Sequence, residues 1–158
     1  MKTLIALVVS CFIAAAAMAA DIAAAPIFQI RLVAETPSAT SEPMVKVSQT
    51  GDQAVKETLN VEKAALLDQT ALKSASVSND SLGHPVIDLT FTRKGATQFA
   101  TITQANLHKR LAIVIDGHLN SAPMIQSSIT GGKAQISGNF SKEEATDLAN
   151  RINAIAKK

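Results

Sequence analysis

The sequence contains no tryptophan, no tyrosine and a single cysteine. Aromatic residues make up 3% of its 158 residues and all are phenylalanine, so the core must be built mainly from aliphatic side chains. Because the one cysteine, Cys11, lies near the N-terminus, no disulfide can staple the rest of the chain within one molecule. A hydrophobic core alone has to stabilise this one-domain length of chain.

A strong charge of either sign is also absent. The 15 basic and 13 acidic residues give a net charge of +2, and no basic cluster is interleaved with aromatic residues. This composition excludes the electrostatic footprint of a nucleic-acid-binding protein, so we expect no nucleic-acid partner.

Spacings typical of metal and phosphate sites are missing as well. His84, His108 and His118 lack the spacing of zinc ligands. Gly131-Gly132-Lys133 is not a phosphate loop, since no Ser or Thr follows the lysine and a strand is predicted to follow. We therefore expect no metal site and no small-molecule cofactor.

A long hydrophobic run occurs only at the N-terminus. Lys2 precedes an apolar stretch over residues 4–16, and Ala17-Met18-Ala19 offers small residues at the positions that a signal peptidase reads. We predict a signal peptide over residues 1–19, cleaved between Ala19 and Ala20, and an exported, water-soluble protein. Two alternatives stay open: residues 4–19 could remain as a membrane anchor, or Cys11 could be lipidated. Membrane contact would then occur only through this segment.

Alternating and turn-forming residues predict several strands in the remainder. Residues 85–91 form the strongest candidate, with Ile87, Leu89 and Phe91 facing the core and Val86 on the other side. Residues 35–43 are predicted to be a polar loop. Further strands are predicted at 26–33, 44–47, 58–61, 75–77, 111–115, 119–122 and 134–137, with turns at 50–53, 79–83, 116–117 and 130–132 and a helical turn at 68–72.

Two helices complete the predicted elements. Thr92 can cap a helix over residues 93–108, whose buried stripe is predicted to be Ala96, Phe99, Ala100, Thr103 and Leu107. Ser141 and Glu144 form a capping box that opens a second helix. Its predicted stripe is Ala145, Leu148, Ala149, Ile152 and Ile155. Together these elements predict an α+β fold, with both main helices packed on one face of a largely antiparallel or mixed sheet.

A string of spaced motifs between residues 85 and 148 resembles one known family. The motifs include Phe91-Thr92 with Gly95-Ala96, residues 109–117 (KRLAIVIDG), Ser121-Ala122-Pro123, Ile129-Thr130-Gly131-Gly132 and Gly138-Asn139-Phe140. They resemble the head subdomain of the first periplasmic domain of the SecD/SecDF protein-export family. On this resemblance we divide the chain into the signal peptide (1–19), N-terminal strands with a Pro/Ser/Thr-rich loop (20–60) and a SecD-head-like domain (61–158).

The departures from that family limit what the resemblance implies. His108 stands where the family usually has glycine, Asn120 where it has an aliphatic residue and Ser128 where it often has proline. The sequence also lacks the transmembrane helices whose carboxylates couple proton flow to export in the family. The resemblance therefore implies the fold, a periplasmic location and contact with polypeptides.

The same motifs supply the candidate site residues. An open strand edge can pair with an extended polypeptide, and the residues proposed for this are Ser121, Ala122, Pro123, Ile129, Thr130, Gly131 and Gly132. A catalytic triad of Asp116, His118 and Ser121 is not expected, because side chains this close on a tight hairpin diverge. We predict a non-enzymatic accessory of protein translocation that binds an extended or exported polypeptide. The alternative is a structural or regulatory envelope protein that binds one folded partner.

Overall fold

The computed structural model describes residues 26–50, 53–138 and 140–156. The predicted signal peptide, its cleavage site at Ala19 and Ala20, Cys11 and the turn residues 51 and 52 lie outside the described residues.

The described residues form strands, two α-helices and one 3₁₀ turn. In chain order they are β1 (Phe28–Ala34), β2 (Ser41–Thr50), β3 (Gln53–Glu62), β4 (Leu67–Asp68), the 3₁₀ turn (Gln69–Ala71), β5 (Leu72–Asn79), β6 (Pro85–Phe91), α1 (Arg93–Ala105), β7 (Leu111–Ile115), β8 (His118–Ser121), β9 (Lys133–Ile136) and α2 (Lys142–Ala156).

The strands form two antiparallel sheets. The first has the order β2-β3-β1-β7-β8, with the short β4 also paired to β1. The second has the order β5-β6-β9. Since β1 pairs with β7 from Phe28↔Ile115 to Leu32↔Leu111, one sheet contains strands from both predicted segments, 20–60 and 61–158. The α+β class is confirmed, although the structure has two sheets where the sequence predicts one.

The core is mainly aliphatic, with a few phenylalanines, and lies mainly between the two sheets and the helices. Alternation along β1 buries Phe28 and Ile30 on this side, and β7 contributes Leu111 and Ile113. The opposite face of β7 buries Ala112 and Val114 beside a second cluster that includes Val61 and Leu119. The near-continuous burial of β7 follows from its position inside the sheet with both faces covered.

Helix α1 begins as predicted and ends earlier. The Thr92 hydroxyl accepts a hydrogen bond from the Gly95 N–H at 3.0 Å, which confirms the N-cap. The helix ends at Ala105 rather than at residue 108, because the Asn106 side chain bonds back to the Ile102 carbonyl and Asn106 leaves the helical conformation.

The predicted stripe of α1 is partly wrong. Phe99 and Thr103 are buried, but Leu107 lies beyond the helix end and is 40% exposed. The structure buries Gly95 as well, because the first turn of α1 lies directly against the Ala71 carbonyl.

Helix α2 follows the prediction closely. Ser141 and Glu144 exchange the two hydrogen bonds of a capping box, at 2.8 and 3.1 Å. The helix buries Ala145, Leu148, Ala149 and Ile152, and it packs on β5, where the Asn153 side chain bonds both backbone groups of Ala75 at 2.8 Å.

Two further predictions need correction. The polar loop is shorter than residues 35–43, because β2 already begins at Ser41 and contains Pro43. A proline is tolerated there because β2 is the outer strand of its sheet. Val86, predicted on the outer side of β6, is buried like Ile87, because this end of β6 lies near Lys46 and Phe140 and lines a cavity with them.

Candidate functional site

Three strands that have a hydrogen-bonded neighbour on only one side within the described residues meet around a pair of cavities. β2 and β8 are the outer strands of the first sheet, and β9 is an outer strand of the second. The cavities have volumes of about 600 and 440 Å³. Both are lined by Lys46 of β2, by Ser121 and Ala122 at the end of β8, and by Ser137 directly after β9. We call this region the three-edge groove.

The 440 Å³ cavity extends into the core between the two sheets. Pro123 and Met124 line it and are both exposed, Met124 by 52%, so we take them as its entrance. Apolar side chains line its interior, among them Phe28, Ile30, Leu89, Phe99, Leu111, Ile113, Ile125 and Ile136. The groove therefore combines polar strand edges with an apolar interior.

Four of the seven residues predicted from the sequence line the groove. Ser121, Ala122, Pro123 and Ile129 all line the 440 Å³ cavity. They are brought there because the chain after β8 continues beside the start of β7: the Leu111 N–H donates to the Pro123 carbonyl at 2.9 Å.

The remaining predicted residues, Thr130, Gly131 and Gly132, do not line either cavity of the groove. Gly132 has a left-handed φ of 67°, and its carbonyl accepts a hydrogen bond from the Phe91 N–H at 3.0 Å. This hydrogen bond holds the turn against β6. The left-handed φ explains why the residue is a glycine.

An ion cluster at the groove was missed in the sequence. The Arg110 guanidinium donates to both carboxylate oxygens of Glu57, at 2.7 and 3.3 Å, and the Lys46 ammonium lies 2.8 Å from the same carboxylate. The Arg110 Nε also donates to the Ala122 carbonyl at 3.0 Å. The hydrogen bonds from Arg110 and then from Lys46 lower the pKa of Glu57 from 4.5 to about 2.

Only the strand register brings these charges together. Lys46 pairs directly with Glu57 across β2 and β3, so both side chains lie on one face of the pair. The separation of 53 residues between Glu57 and Arg110 carries no local signal. Residues 44 and 46 of β2 and residues 57 and 59 of β3 alternate along their strands. The sequence would show that they share a face only if the pairing of β2 with β3 were already known.

A further polar group beside the groove is Asn120, one of the departures from the family pattern. The Nδ2 atom of Asn120 is buried and has no hydrogen-bond partner among the described residues. An ideal Cβ on Gly138 would stand 2.8 Å from this atom, so the amide packs directly on the glycine backbone.

The residues of the rejected triad have other contacts. The Asp116 carboxylate accepts hydrogen bonds from the Arg151 guanidinium, one of them at 2.9 Å, and these bonds lower the pKa of Asp116. Asp116 and Gly117 both have left-handed φ values, of 49° and 79°, which confirms the predicted hairpin turn. Among the described residues, His118 and Ser121 share no hydrogen bond. In the same ranges, no group of three His, Cys, Asp or Glu residues lies close enough together to hold a metal ion.

No helix within the described residues is long and apolar enough to cross a membrane.

Comparison with known proteins gives a family match and similar structures. A family model described as "SecDF, P1 head subdomain" matches residues 40–156. The protein translocase subunit SecD of Sebaldella termitidis is 48% identical over 91 residues, which are 58% of this chain and 22% of that protein. The chain thus spans about a fifth of the length of this curated relative.

Two solved structures are similar in fold. One, described as the crystal structure of SecDF in a super-membrane-facing form, has a TM-score of 0.64 and 31% identity, covering 82% of this chain and 19% of that chain. The other, described as the structure and function of a membrane component SecDF that enhances protein export, has a TM-score of 0.62 and 28% identity, covering 82% and 62%.

Proposed function

Because the chain belongs to the SecDF P1 head subdomain family, we propose that it serves protein translocation as a non-enzymatic periplasmic module that binds extended polypeptides in the three-edge groove. The observation that carries this proposal is the convergence of three outer strands, β2, β8 and β9, on one pair of cavities.

The strand edges supply the main-chain half of the recognition. The outer side of an edge strand presents backbone N–H and C=O groups at the spacing of a β-strand, and an extended polypeptide can satisfy them by adding a strand. Such bonds use only the backbone of the bound chain. This suits a module that has to accept polypeptides of different sequence.

The apolar interior supplies the side-chain half. Side chains of an extended segment alternate between two faces, so every second one can enter the 440 Å³ cavity past Pro123 and Met124. Ile129 and two residues of β9, Ala134 and Ile136, also line this cavity. Burial of one or two apolar side chains there would add affinity without a fixed sequence requirement.

A binding assay with the purified chain tests the main-chain part of the proposal. The probe is a fluorescent twelve-residue unstructured peptide rich in valine and threonine, compared with the same peptide N-methylated at alternate residues. We expect the unmethylated peptide to bind and the methylated one to bind at least about tenfold more weakly, because N-methylation removes the donors for strand addition. Equal binding of both peptides would exclude recognition through strand edges.

A pair of exposed apolar residues offers matched variants for the side-chain part. Met124→Asp places a charge at the groove entrance, whereas Leu107→Asp places one on a surface outside the groove. Met124 and Leu107 are 52% and 40% exposed, so both variants should fold. Only Met124→Asp should weaken peptide binding, and an equal effect of both substitutions would contradict the location.

A second candidate function is supported by the exposed valines of the β2–β3 pair. Val45 and Val47, two residues apart on one face of β2, are 49 and 48% exposed, and a folded partner could cover an apolar surface of this kind. The chain would then be a structural or regulatory envelope protein that binds one folded protein. An unstructured peptide should displace a bound extended polypeptide but leave such a folded partner bound.

A further inference from the structure

A continuous chain of polar contacts connects β8 to the β2–β3 pair across the three-edge groove. It runs from the Ala122 carbonyl to the Arg110 Nε at 3.0 Å, from Arg110 to Glu57 at 2.7 Å, and from Glu57 to Lys46 at 2.8 Å. Lys46 and Ala122, at its two ends, are themselves residues of the groove.

From this geometry we infer that the Arg110–Glu57–Lys46 cluster is an autoinhibitory clasp, which holds β2 against the end of β8 and must open before a polypeptide enters the groove. The inference rests on the proposed function and concerns the regulation of the same site. Arg110, Glu57 and Lys46 are positioning residues, because they act by holding the strand edges in place.

The first argument concerns the Ala122 carbonyl. Ala122 directly follows β8, and because the next carbonyl, that of Pro123, accepts a hydrogen bond from β7, the Ala122 carbonyl faces away from β7, where an added strand could bind it. In the structure the Arg110 side chain already occupies this acceptor. An incoming polypeptide therefore competes with Arg110 for the same oxygen atom.

The second argument concerns the position of β2. β2 and β8 are in contact although they are not paired by strand hydrogen bonds in the described residues. The Glu57 carboxylate receives charge-assisted hydrogen bonds from Arg110 and from Lys46, so it ties both strands of the pair to the β7–β8 side. Among the described residues, this carboxylate makes the only ionic connection between the β2–β3 pair and the β7–β8 side, so its removal breaks that connection.

The third argument concerns strength. The side chains of Lys46, Arg110 and Glu57 are 20, 30 and 39% exposed, so water screens the cluster and it contributes far less than a buried ion pair. A contact of this kind opens by thermal motion and closes again, as a reversible clasp requires.

The same pair of strands contains a matched control. Arg31 and Glu42 form an ion pair at 2.7 Å between β1 and β2, and Glu42 is 43% exposed. Neither residue lines the groove cavities. Glu42→Gln therefore removes a carboxylate of similar exposure, which is also paired with an arginine, from the same strand pair without touching the clasp.

The test measures association rates of the unmethylated peptide with the full chain and its variants by stopped-flow fluorescence. We expect Glu57→Gln to accelerate association about three- to tenfold and Glu42→Gln to leave the association rate unchanged. The rate of Arg110→Lys should lie between these two, because lysine keeps the positive charge but cannot make the bidentate contact with Glu57. The thermal midpoints of Glu57→Gln and Glu42→Gln should be similar, which separates a kinetic clasp from a loss of general stability.

Amide hydrogen exchange without any peptide gives an independent readout. Glu57→Gln should accelerate exchange at Ser121, Ala122 and Lys46, whereas Glu42→Gln should not. If no variant binds the peptide but amide exchange changes as expected, the result supports the clasp and contradicts the proposed polypeptide ligand. If the wild type binds the peptide and both glutamine variants behave alike in rate and exchange, the clasp is excluded.

Discussion

At residue 95 the chain has no room for a side chain. An ideal Cβ on Gly95 would stand 2.2 Å from the Ala71 carbonyl oxygen, which is backbone and already accepts a hydrogen bond from the Thr92 N–H at 2.9 Å. The first turn of α1 thus lies directly on the 3₁₀ turn. Small size, rather than conformational freedom, explains the glycine here.

Gly95→Ala should therefore lower the free energy of unfolding by about 1–3 kcal/mol, the usual cost of overpacking. Gly131→Ala is the matched control, since its ideal Cβ meets nothing within 4 Å and its φ is not left-handed. Urea denaturation of the two variants checks the difference. Equal stabilities would contradict the close approach.

His108 stands where the family resemblance leads us to expect glycine, and this replacement strains the backbone. Its φ is 63°, in the left-handed region that favours glycine. The sequence alone showed the substitution but not its consequence. The chain needs this conformation because it turns out of α1, and the His108 N–H donates to the Ile125 carbonyl at 2.9 Å.

His108→Gly should raise the free energy of unfolding by about 0.5–1 kcal/mol, because relief of the left-handed strain exceeds the entropic cost of glycine. Lys109→Gly, one residue later and without a positive φ, should lower it instead. Chemical denaturation compares them. A decrease in both variants would show that His108 is not strained.

At the scale of elements, local signals predicted the second half of the chain better than the first. The capping box at Ser141, the N-cap at Thr92 and the Asp116-Gly117 turn are short-range devices that operate within a few residues, and the structure confirms each of them. The lengths of β2 and β3 could not be predicted, because their exposed positions mix polar residues with valines and give only weak alternation.

The β2–β3 pair also has a pH dependence that follows from Glu57. The pKa of Glu57 is about 2 in the folded chain, below its ordinary value of 4.5, so its contribution to stability is fully present above pH 4.5 and is lost as the pH falls towards 2. With Glu57 39% exposed, the contribution should stay below about 1 kcal/mol.

We therefore expect the stability difference between the wild type and Glu57→Gln to be constant from about pH 7 to pH 5 and to shrink towards zero near pH 2. Denaturation curves at a series of pH values measure this difference. A difference that grows as the pH falls would contradict the ion pairing of Glu57.

At the scale of the whole molecule, the site arises from the arrangement of the two sheets. Ser121, Ala122, Pro123 and Ile129 could be selected from the sequence because they lie in turn-rich motifs beside a predicted edge. Lys46, Glu57 and Ser137 could not, because only the approach of β2 and β9 to β8 brings them to the groove. Long-range strand order is not encoded in any single short segment.

The central claim is that polypeptides bind in the three-edge groove in extended form. Site-specific photo-crosslinking in cells tests it most directly, with the crosslinker at Ser121 and, as a control, at Thr101 on the exposed side of α1. The account predicts that position 121 captures polypeptides, that an unstructured peptide competes for them in an envelope extract, and that position 101 captures none. Absence of capture at 121, or equal capture at both positions, would contradict it.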